Sequence, residues 1–523
     1  MRTKHSINNI SISIISQIII VLLGFIARKI FLDSLGASYL GINGLLTNVL
    51  SMLVLVEGGI AISIVYNLYK PLAEDNKEKV IALIQLYKKA YGILAIITLI
   101  ISVCLYPLLD HLMKDEVPVP HIEIIYSIFV AKSILSYLNA HKWSLITADQ
   151  RGYVLTRVDL LFQVITMITR IIVLITTENY VFYLILELLV YLIQNMVNGR
   201  IVNKRYPYIK TKQKYAIDKD TKNNIIKNVK AMFLHNIGGF LVFSTDNILI
   251  SSFIGVATVG LYSNYTMITQ QLSALVNSIL GGIGSSVGNL IATESNDKSY
   301  SIFKISYFVN FWIYSFSIIF LFNLLEPFIS WWLGDGYLLD KLTFVFILIN
   351  FYLLGMRTAI GTFKNKAGLF TQDQYIPLIE GLLNLIASLV FLKYFGLSGI
   401  FMGTALSTIA TVCWTQPCIV YKHVFNRPVR SYFKNYGYYL LLTISTCCIT
   451  TICCNYFVVG DTFTSLLVRG LFCLLIPNFI YVVVFYKSNE FQYLKSIIFT
   501  LMSDFKKIVF SSKYNIAREK QGS

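Results

Sequence analysis

The chain has 523 residues, of which 56% are hydrophobic and only 14% are charged, and its mean hydropathy is +0.65. Soluble domains carry about 25% charged residues, so this composition excludes an ordinary water-soluble protein. The formal net charge of +17 lies mainly in the loops between long apolar segments. That is the pattern of membrane topology, so we predict a polytopic membrane protein with no nucleic-acid partner.

The apolar segments, taken in chain order, predict an all-α protein of about fourteen transmembrane helices. The first segment continues through Arg28 and Lys29 into further helices, which indicates an uncleaved span and not a signal peptide. The predicted helices cover roughly residues 8–31, 41–68, 80–109, 121–141, 154–176, 180–201, 231–254, 261–291, 302–325, 341–363, 375–394, 398–421, 435–457 and 465–486.

Alternate loops differ sharply in their content of Lys and Arg. One set includes the basic segment 204–230 and the C-terminal tail, whereas the other set holds only Lys114, Lys341 and Lys393. Because basic loops stay in the cytoplasm, this asymmetry places both termini there. The outside loops are short and leave no room for a catalytic domain, so we expect no enzyme activity. Most of the eight cysteines lie in apolar segments without a CxxC pair, so we predict neither a metal site nor a bound cofactor.

A shift of 219 residues aligns two parts of the chain. Leu35-Gly36 then matches Ile254-Gly255, and Gly41 matches Gly260. Six predicted helices separate the two copies, so both have the same topology, as in transporters built from paired repeats. The predicted organisation is an N-terminal six-helix lobe (1–202), a basic cytoplasmic linker (203–230), a C-terminal six-helix lobe (231–421), an appended helix pair (422–486) and a cytoplasmic tail (487–523).

Charged residues inside the predicted spans are candidates for a water-filled cavity, because a bare charge in hydrocarbon is costly. Arg28 and Arg170 each end a polar stripe along one helix face. The candidate substrate-binding residues are Arg28, Lys132, Arg170, Arg357, Asn43, Gln163, Asn264 and Gln271. The candidates for a coupling proton or sodium ion are Glu57, Asp246 and Glu380. For each of them, packing within the helix bundle or snorkelling to the interface is the alternative.

Four stretches resemble the Wzx-type polysaccharide repeat-unit flippases of the multidrug/oligosaccharidyl-lipid/polysaccharide exporter superfamily. They are RKIFLDSLGASYLG at 28–41, VEGGIAISIVYNLYKPLAEDNKEKV at 56–80, STDNILISSFIG at 244–255 and GLFTQDQYIPLIEGLLNLIASLVFLKYFGLSGIFMGTALS at 368–407. The resemblance implies two lobes around a central cavity. It also implies export of undecaprenyl-diphosphate-linked oligosaccharide across the bacterial cytoplasmic membrane, for O-antigen, capsule or exopolysaccharide. Membrane lipid and a polysaccharide polymerase with other assembly proteins are the implied partners.

Three alternative functions compete on the sequence alone. A multidrug exporter of the same superfamily would favour a more acidic cavity and twelve helices. A polysaccharide polymerase or lipid-dependent glycosyltransferase would need a sizeable outer loop with catalytic residues, which the predicted topology lacks. A structural scaffold would not need charged residues on polar stripes inside the membrane.

Overall fold

The computed structural model describes residues 2–113, 120–149, 151–369, 372–458, 460 and 462–496. Its α-helices are α1 Arg2–Ala73, α2 Lys77–Leu105, α3 Leu109–Leu112, α4 Ile122–Tyr137, α5 Ala140–Ala148, α6 Tyr153–Thr177, α7 Tyr180–Arg205, α8 Lys219–Phe243, α9 Thr245–Phe253, α10 Val256–Thr293, α11 Asn296–Leu333, α12 Lys341–Met356, α13 Thr358–Lys366, α14 Ile376–Phe395, α15 Leu397–Ala410, α16 Val412–Val420, α17 Arg430–Phe457 and α18 Phe463–Phe485.

These helices confirm the predicted all-α, multi-pass membrane fold, and the described ranges contain no strand. Within the same ranges, nine helical segments are long and apolar enough to span a bilayer. Helices α4 and α5, which meet at a bend of 43°, make a tenth span if they are counted together. The total of fourteen spans stays a prediction.

Helix α1 contains the first two predicted spans, joined at a kink. The kink lies at Gly36, whose φ of +80° and ψ of 178° are accessible to glycine and strained for other residues. Gly255, its counterpart under the 219-residue shift, also has a positive φ, of +150°. The two copies therefore interrupt their helices at equivalent positions for the same backbone reason.

The helices that follow these two glycines touch each other. A Cβ on Gly41 would overlap the carbonyl oxygen of Val256, and one on Gly260 would overlap that of Ala37. Each contact maps onto the other under the 219-residue shift, so the repeated segments meet symmetrically. Any side chain at Gly41 or Gly260 would force these backbones apart.

The basic segment 203–230 is more regular than the sequence suggests. Helix α8 begins at Lys219, well before the predicted start at residue 231, because Asp218 caps it by accepting a hydrogen bond of 2.9 Å from the Thr221 amide. A short 3-10 helix covers Pro207–Lys210. Ile209 and Ile217 pack against the apolar core formed by α2 and α5. Apolar packing and a helix cap thus hold this segment against the membrane helices.

The chain divides into two compact units. Unit 1 comprises Met1–Thr266 and Gln374–Ser407, and unit 2 comprises Met267–Asp373 and Thr408–Ser523. Contacts between helices define this division, whereas the boundaries of the predicted lobes come from the sequence repeat, and those boundaries stay a prediction. In unit 1, Gly238 and Gly381 bring α8 and α14 together, with a Cβ on Gly238 meeting Pro377 at 2.5 Å.

An aromatic core holds the last two helices in unit 2. The ring of Phe311 on α11 stacks on that of Tyr439 on α17, with centroids 4.1 Å apart and planes at 10°. Phe485 on α18 meets the Phe311 ring edge-on, 5.8 Å away. Ser315 hydrogen-bonds both Tyr481 and Thr443. Helices α17 and α18 are therefore integral to the packing of unit 2.

Candidate functional site

Glu187 on α7 is the centre of a group of charged side chains in unit 1. Its Oε1 atom lies 2.5 Å from Lys132 Nζ on α4, and its Oε2 atom lies 2.7 Å from Arg170 Nη2 on α6. The Glu187 side chain is 8% exposed, whereas those of Arg170 and Lys132 are 30% and 41% exposed. The carboxylate is therefore buried beneath two cations that remain partly exposed at the surface of the unit.

The hairpin of α6 and α7 determines where this group lies along the two helices. Glu178 turns the chain in a left-handed conformation, and Asn179 caps α7 by accepting from the Phe182 amide at 3.0 Å. Arg170 lies two turns before the hairpin loop and Glu187 lies two turns after it. They meet about 10 Å from the loop, measured along the helices.

Arg28 on α1 is the third cation of the group. Its Nη1 atom donates to Ser263 Oγ on α10 at 2.8 Å, and its charge lies close enough to Arg170 to interact with it. The Arg170 guanidinium lies 5.5 Å from the centroid of the Tyr183 ring, in cation–π contact. Arg28, Lys132, Arg170 and Glu187 with Tyr183 are called the Glu187 group below.

The Glu187 group has three cations around one carboxylate. A group assembled only for stability would contain equal numbers of positive and negative charges, because an unpaired charge inside a membrane protein is costly. The surplus of positive charge suits a ligand that brings negative charge of its own. Guanidinium groups offer forked donors that match phosphate oxygens. The buried, stacked rings of Tyr180 and Tyr183 support Arg170 from within the unit.

A second polar row lies along the same helices, nearer their other ends. Asp159 on α6 accepts hydrogen bonds of 2.7 Å from both Gln194 and Asn198 on α7. Asn139, between α4 and α5, donates to Asn195 on α7. The two charged ends of the predicted polar stripe of α6, Asp159 and Arg170, therefore bond to α7.

The remaining predicted amides have diverse surroundings. Gln163 is exposed on α6, and Asn43 lies beside the hydroxyl of Tyr180. Asn264 is fully buried, and neither its oxygen nor its nitrogen has a partner among the described residues. Gln271 is partly buried on α10 and falls in unit 2. Of these four, Asn43 lies beside Tyr180, which stacks on Tyr183 of the Glu187 group.

Arg357 lies in unit 2, between α12 and α13. It lines a largely apolar cavity of about 610 Å³ that is bounded by α11, α12, α16 and α17. Trp414, Tyr432 and Tyr436 form much of the wall. The predicted cation is thus in a pocket whose other walls are hydrocarbon and aromatic rings.

The three candidate carboxylates for a coupling ion lie on different helices. Glu57 lies outside the residues whose side chains the structure describes. Asp246 is 8% exposed at the start of α9, and its Oδ1 atom has no hydrogen-bond partner in the described part of the chain. Glu380 is 6% exposed on α14. Asp246 is therefore a buried carboxylate with spare capacity to bind a cation or a proton.

Sequence reasoning did not select Glu187 or the two tyrosines as site residues. Glu187 was recognisable as a charge within a span, but its partners are 17 and 55 positions away and come from two other helices. The tyrosines carry no charge signal, and only the fold places Tyr183 under Arg170.

Comparison with known proteins decides the family. The model of the family described as polysaccharide biosynthesis protein matches residues 6–283, which is more than half of the chain. The chain belongs to this polysaccharide biosynthesis protein family. No curated protein sequence matches it.

Solved structures show the family's fold in this chain. The lipid II flippase MurJ in an inward closed conformation superposes with a TM-score of 0.62 at 14% identity, covering 90% of this chain and 98% of MurJ. A mutant form of the Vibrio cholerae MATE transporter VcmN has a TM-score of 0.56 at 14% identity, covering 78% of this chain and 94% of VcmN. An inward-facing multidrug resistance MATE family transporter of the MOP superfamily has a TM-score of 0.50 at 14% identity, covering 77% of this chain and 98% of that transporter.

The predicted resemblance to flippases of the exporter superfamily is confirmed at the level of family and fold. These structural neighbours are a flippase and transporters, not enzymes. The chain is a polysaccharide biosynthesis family member with the fold of MOP-superfamily transporters.

Proposed function

We propose that this protein is a flippase for undecaprenyl-diphosphate-linked oligosaccharide repeat units. It moves them from the inner to the outer leaflet of the bacterial cytoplasmic membrane, with its own termini in the cytoplasm, for O-antigen, capsule or exopolysaccharide assembly. The observation that carries the proposal is the surplus of cations in the Glu187 group, within a chain of the polysaccharide biosynthesis family.

The substrate poses a specific physical problem. Its diphosphate and sugar must cross about 30 Å of hydrocarbon, whereas its apolar prenyl tail dissolves in that hydrocarbon. Arg28 and Arg170 would neutralise the diphosphate and replace hydrogen bonds that it loses from water. The buried Tyr183 ring packs against the Arg170 guanidinium and holds it in place for the diphosphate. Alternating exposure of this group to the two sides of the membrane would then complete the transfer.

A cation gradient is the proposed energy source, with Asp246 as the residue that binds a sodium ion or a proton. Asp246 fits this role because one of its carboxylate oxygens is buried with no partner among the described residues. Hard cations prefer several oxygen ligands. Asn247, the next residue on α9, also has a buried side-chain oxygen with no hydrogen-bond partner in the described ranges. Glu380 on α14 is the second candidate carboxylate.

The proposed coupling makes a direct prediction for Asp246. Asp246→Asn keeps the size of the side chain but removes the charge that attracts a cation. We expect transport by the variant in proteoliposomes to lose its response to an imposed sodium or proton gradient, with the folded protein recovered at normal yield. A gradient response equal to that of wild type would exclude Asp246 as the coupling residue.

Deletion of the gene tests the substrate. The proposal predicts that complete lipid-linked repeat units accumulate on the inner leaflet, measured by their accessibility to a glycan-modifying enzyme in vesicles of known orientation. Repeat units that reach the outer leaflet normally but stay unpolymerised would indicate a polymerase. Normal polysaccharide combined with new sensitivity to toxic organic cations would indicate a multidrug exporter.

A further inference from the structure

Three lysines meet at the opposite end of unit 1 from the Glu187 group. Lys88 lies on α2, Lys142 lies in the first turn of α5, and Lys210 ends the 3-10 helix Pro207–Lys210. The Lys142 charge lies close enough to those of Lys88 and Lys210 to be repelled by both. In the described part of the chain, none of the three lysines forms an ion pair.

Apolar packing holds α2, α5 and the 3-10 helix together. The three lysines on these elements therefore lie near one another. Tyr87, next to Lys88, is 1% exposed and belongs to the same apolar cluster as Leu145 of α5. Ile209, next to Lys210, packs on that cluster. Gln85 donates to the Gln213 carbonyl at 2.6 Å, which ties the segment after Lys210 to α2 one turn from Lys88.

A buried histidine faces the same lysines. His141 precedes Lys142, is 5% exposed, and its charge would interact with those of Lys142 and Lys88. Its Nδ1 atom is buried and has no hydrogen-bond partner among the described residues. A buried polar atom of this kind is usually satisfied, so the missing partner indicates that a ligand or water completes the site.

The start of α5 adds donors. Its N-cap residue, Asn139, makes no side-chain bond to the first turn, while its carbonyl accepts from the Lys142 amide at 2.8 Å. A helix N-terminus attracts anions through its first amides and through the helix dipole. Lysine ammonium groups bind phosphate as compact point charges.

Nearby cations, by contrast, are neutralised. Lys79 Nζ lies 3.0 Å from Asp218 Oδ1, and Arg151 Nε lies 3.2 Å from Asp149 Oδ2. Tyr206 also donates to Asp149. Among the described residues, the fold thus supplies carboxylates to Lys79 and Arg151 and none to the three lysines.

We propose that Lys88, Lys142 and Lys210, with His141 and the first turn of α5, form a binding site for a phosphate or diphosphate group. The group belongs either to a lipid headgroup or to a soluble molecule. The site lies by the loops that precede α6 and follow α7, whereas the Glu187 group lies by the loop that joins them. Binding at the lysine site does not depend on the proposed transport.

Calorimetric titration of inorganic diphosphate into the full-length protein, held in phosphatidylcholine nanodiscs, tests the proposal. We expect saturable binding to wild type, and a loss of about tenfold or more in affinity for Lys142→Gln and for Lys88→Gln, because each removes a charged donor. Lys142→Arg, which keeps the charge, should stay near wild type. Lys89→Gln is the matched control, because Lys89 is an equally exposed neighbour on α2 outside the group, and it should change affinity less than about twofold.

Nanodiscs that contain phosphatidylglycerol separate the two sources of the phosphate. If anionic lipid weakens diphosphate binding to wild type more than to Lys142→Gln, then the site takes lipid headgroups. If anionic lipid has equal effects on both, then a soluble phosphate compound is the ligand. The absence of saturable diphosphate binding, or an equal loss in Lys142→Gln and Lys89→Gln, overturns the proposal. If Arg28→Ala loses transport but still binds diphosphate, then the Glu187 group serves transport and the lysine site binds independently of it.

Discussion

Two buried carboxylates with cationic partners have opposite surroundings. In unit 2, Asp373 bonds to Lys364, and both side chains are sealed, at 4% and 5% exposed. In unit 1, Glu187 bonds to Lys132 and Arg170, which are 41% and 30% exposed, with Arg28 close by. The first arrangement pairs one cation with one carboxylate, and the second carries surplus positive charge on partly exposed side chains.

The difference separates a structural ion pair from a site that can take a ligand. Lys364 lies in the last turn of α13 and Asp373 lies in the segment before α14, so their bond fixes the path of the connection between them. No ligand could reach between two sealed side chains. The Glu187 group keeps its carboxylate buried and leaves its cations accessible, which anchors the cations and still allows them to bind an anion.

The sealed pair should give the largest loss of stability. Lys364→Ala leaves the Asp373 carboxylate buried without its partner, so we expect a loss of about 3–5 kcal/mol in the free energy of unfolding. Denaturant unfolding of the purified protein in detergent measures it. Lys366→Ala, at an exposed position two residues further on, should stay within about 0.5 kcal/mol of wild type. Equal losses in the two variants would show that the pair is not structural.

Glu187→Gln should cost less than the loss of the sealed pair. The substitution removes charged hydrogen bonds worth about 1.5–3 kcal/mol, but water can solvate the exposed sides of Arg170 and Lys132 afterwards. The same unfolding measurement checks this prediction. A loss as large as that of Lys364→Ala would place the Glu187 group with the sealed, structural pairs.

The half-exposed pair of Lys79 and Asp218 should show the smallest effect, and a pH dependence. Hydrogen bonds from Thr221, together with Lys79, lower the pKa of Asp218 well below its ordinary value. A lowered folded-state pKa stabilises the fold above the unfolded-state pKa, and this stabilisation disappears as the pH falls through about 4 and below. Asp218→Asn should therefore lower the unfolding temperature slightly at pH 7, and this difference should shrink as the pH falls from about 4 toward 2. A constant difference at both pH values would contradict this origin.

The comparison also shows what the sequence could predict. Length and hydropathy predicted the membrane helices because spanning a bilayer imposes a long apolar run. Polar stripes selected Arg28 and Arg170, because a charge inside a span must face protein or water. The sequence repeat pairs Gly36 with Gly255, and both residues have a positive φ angle in the structure.

Other features depend on tertiary packing and leave no periodic signal. The hydrogen bonds of Glu187 join three helices, and no sequence spacing predicts which helix will face which. Helix α5 is too short and too polar to be distinguished from a loop by hydropathy. The meeting of Lys88, Lys142 and Lys210 requires the path of the segment after α7, which apolar packing of Ile209 determines. The sequence showed each lysine only as a topology signal.

The central claim is that the cations of the Glu187 group serve the substrate and not the fold. Its most direct test measures both the rate of glycolipid translocation in proteoliposomes and the unfolding temperature, for Arg28→Ala and for the control Arg200→Ala at an exposed position on α7. We predict that Arg28→Ala slows translocation at least about tenfold, as expected for the loss of a charged hydrogen bond, with an unfolding temperature close to wild type, while Arg200→Ala changes neither. Normal translocation by Arg28→Ala, or a loss that only follows a lowered unfolding temperature, would contradict the claim.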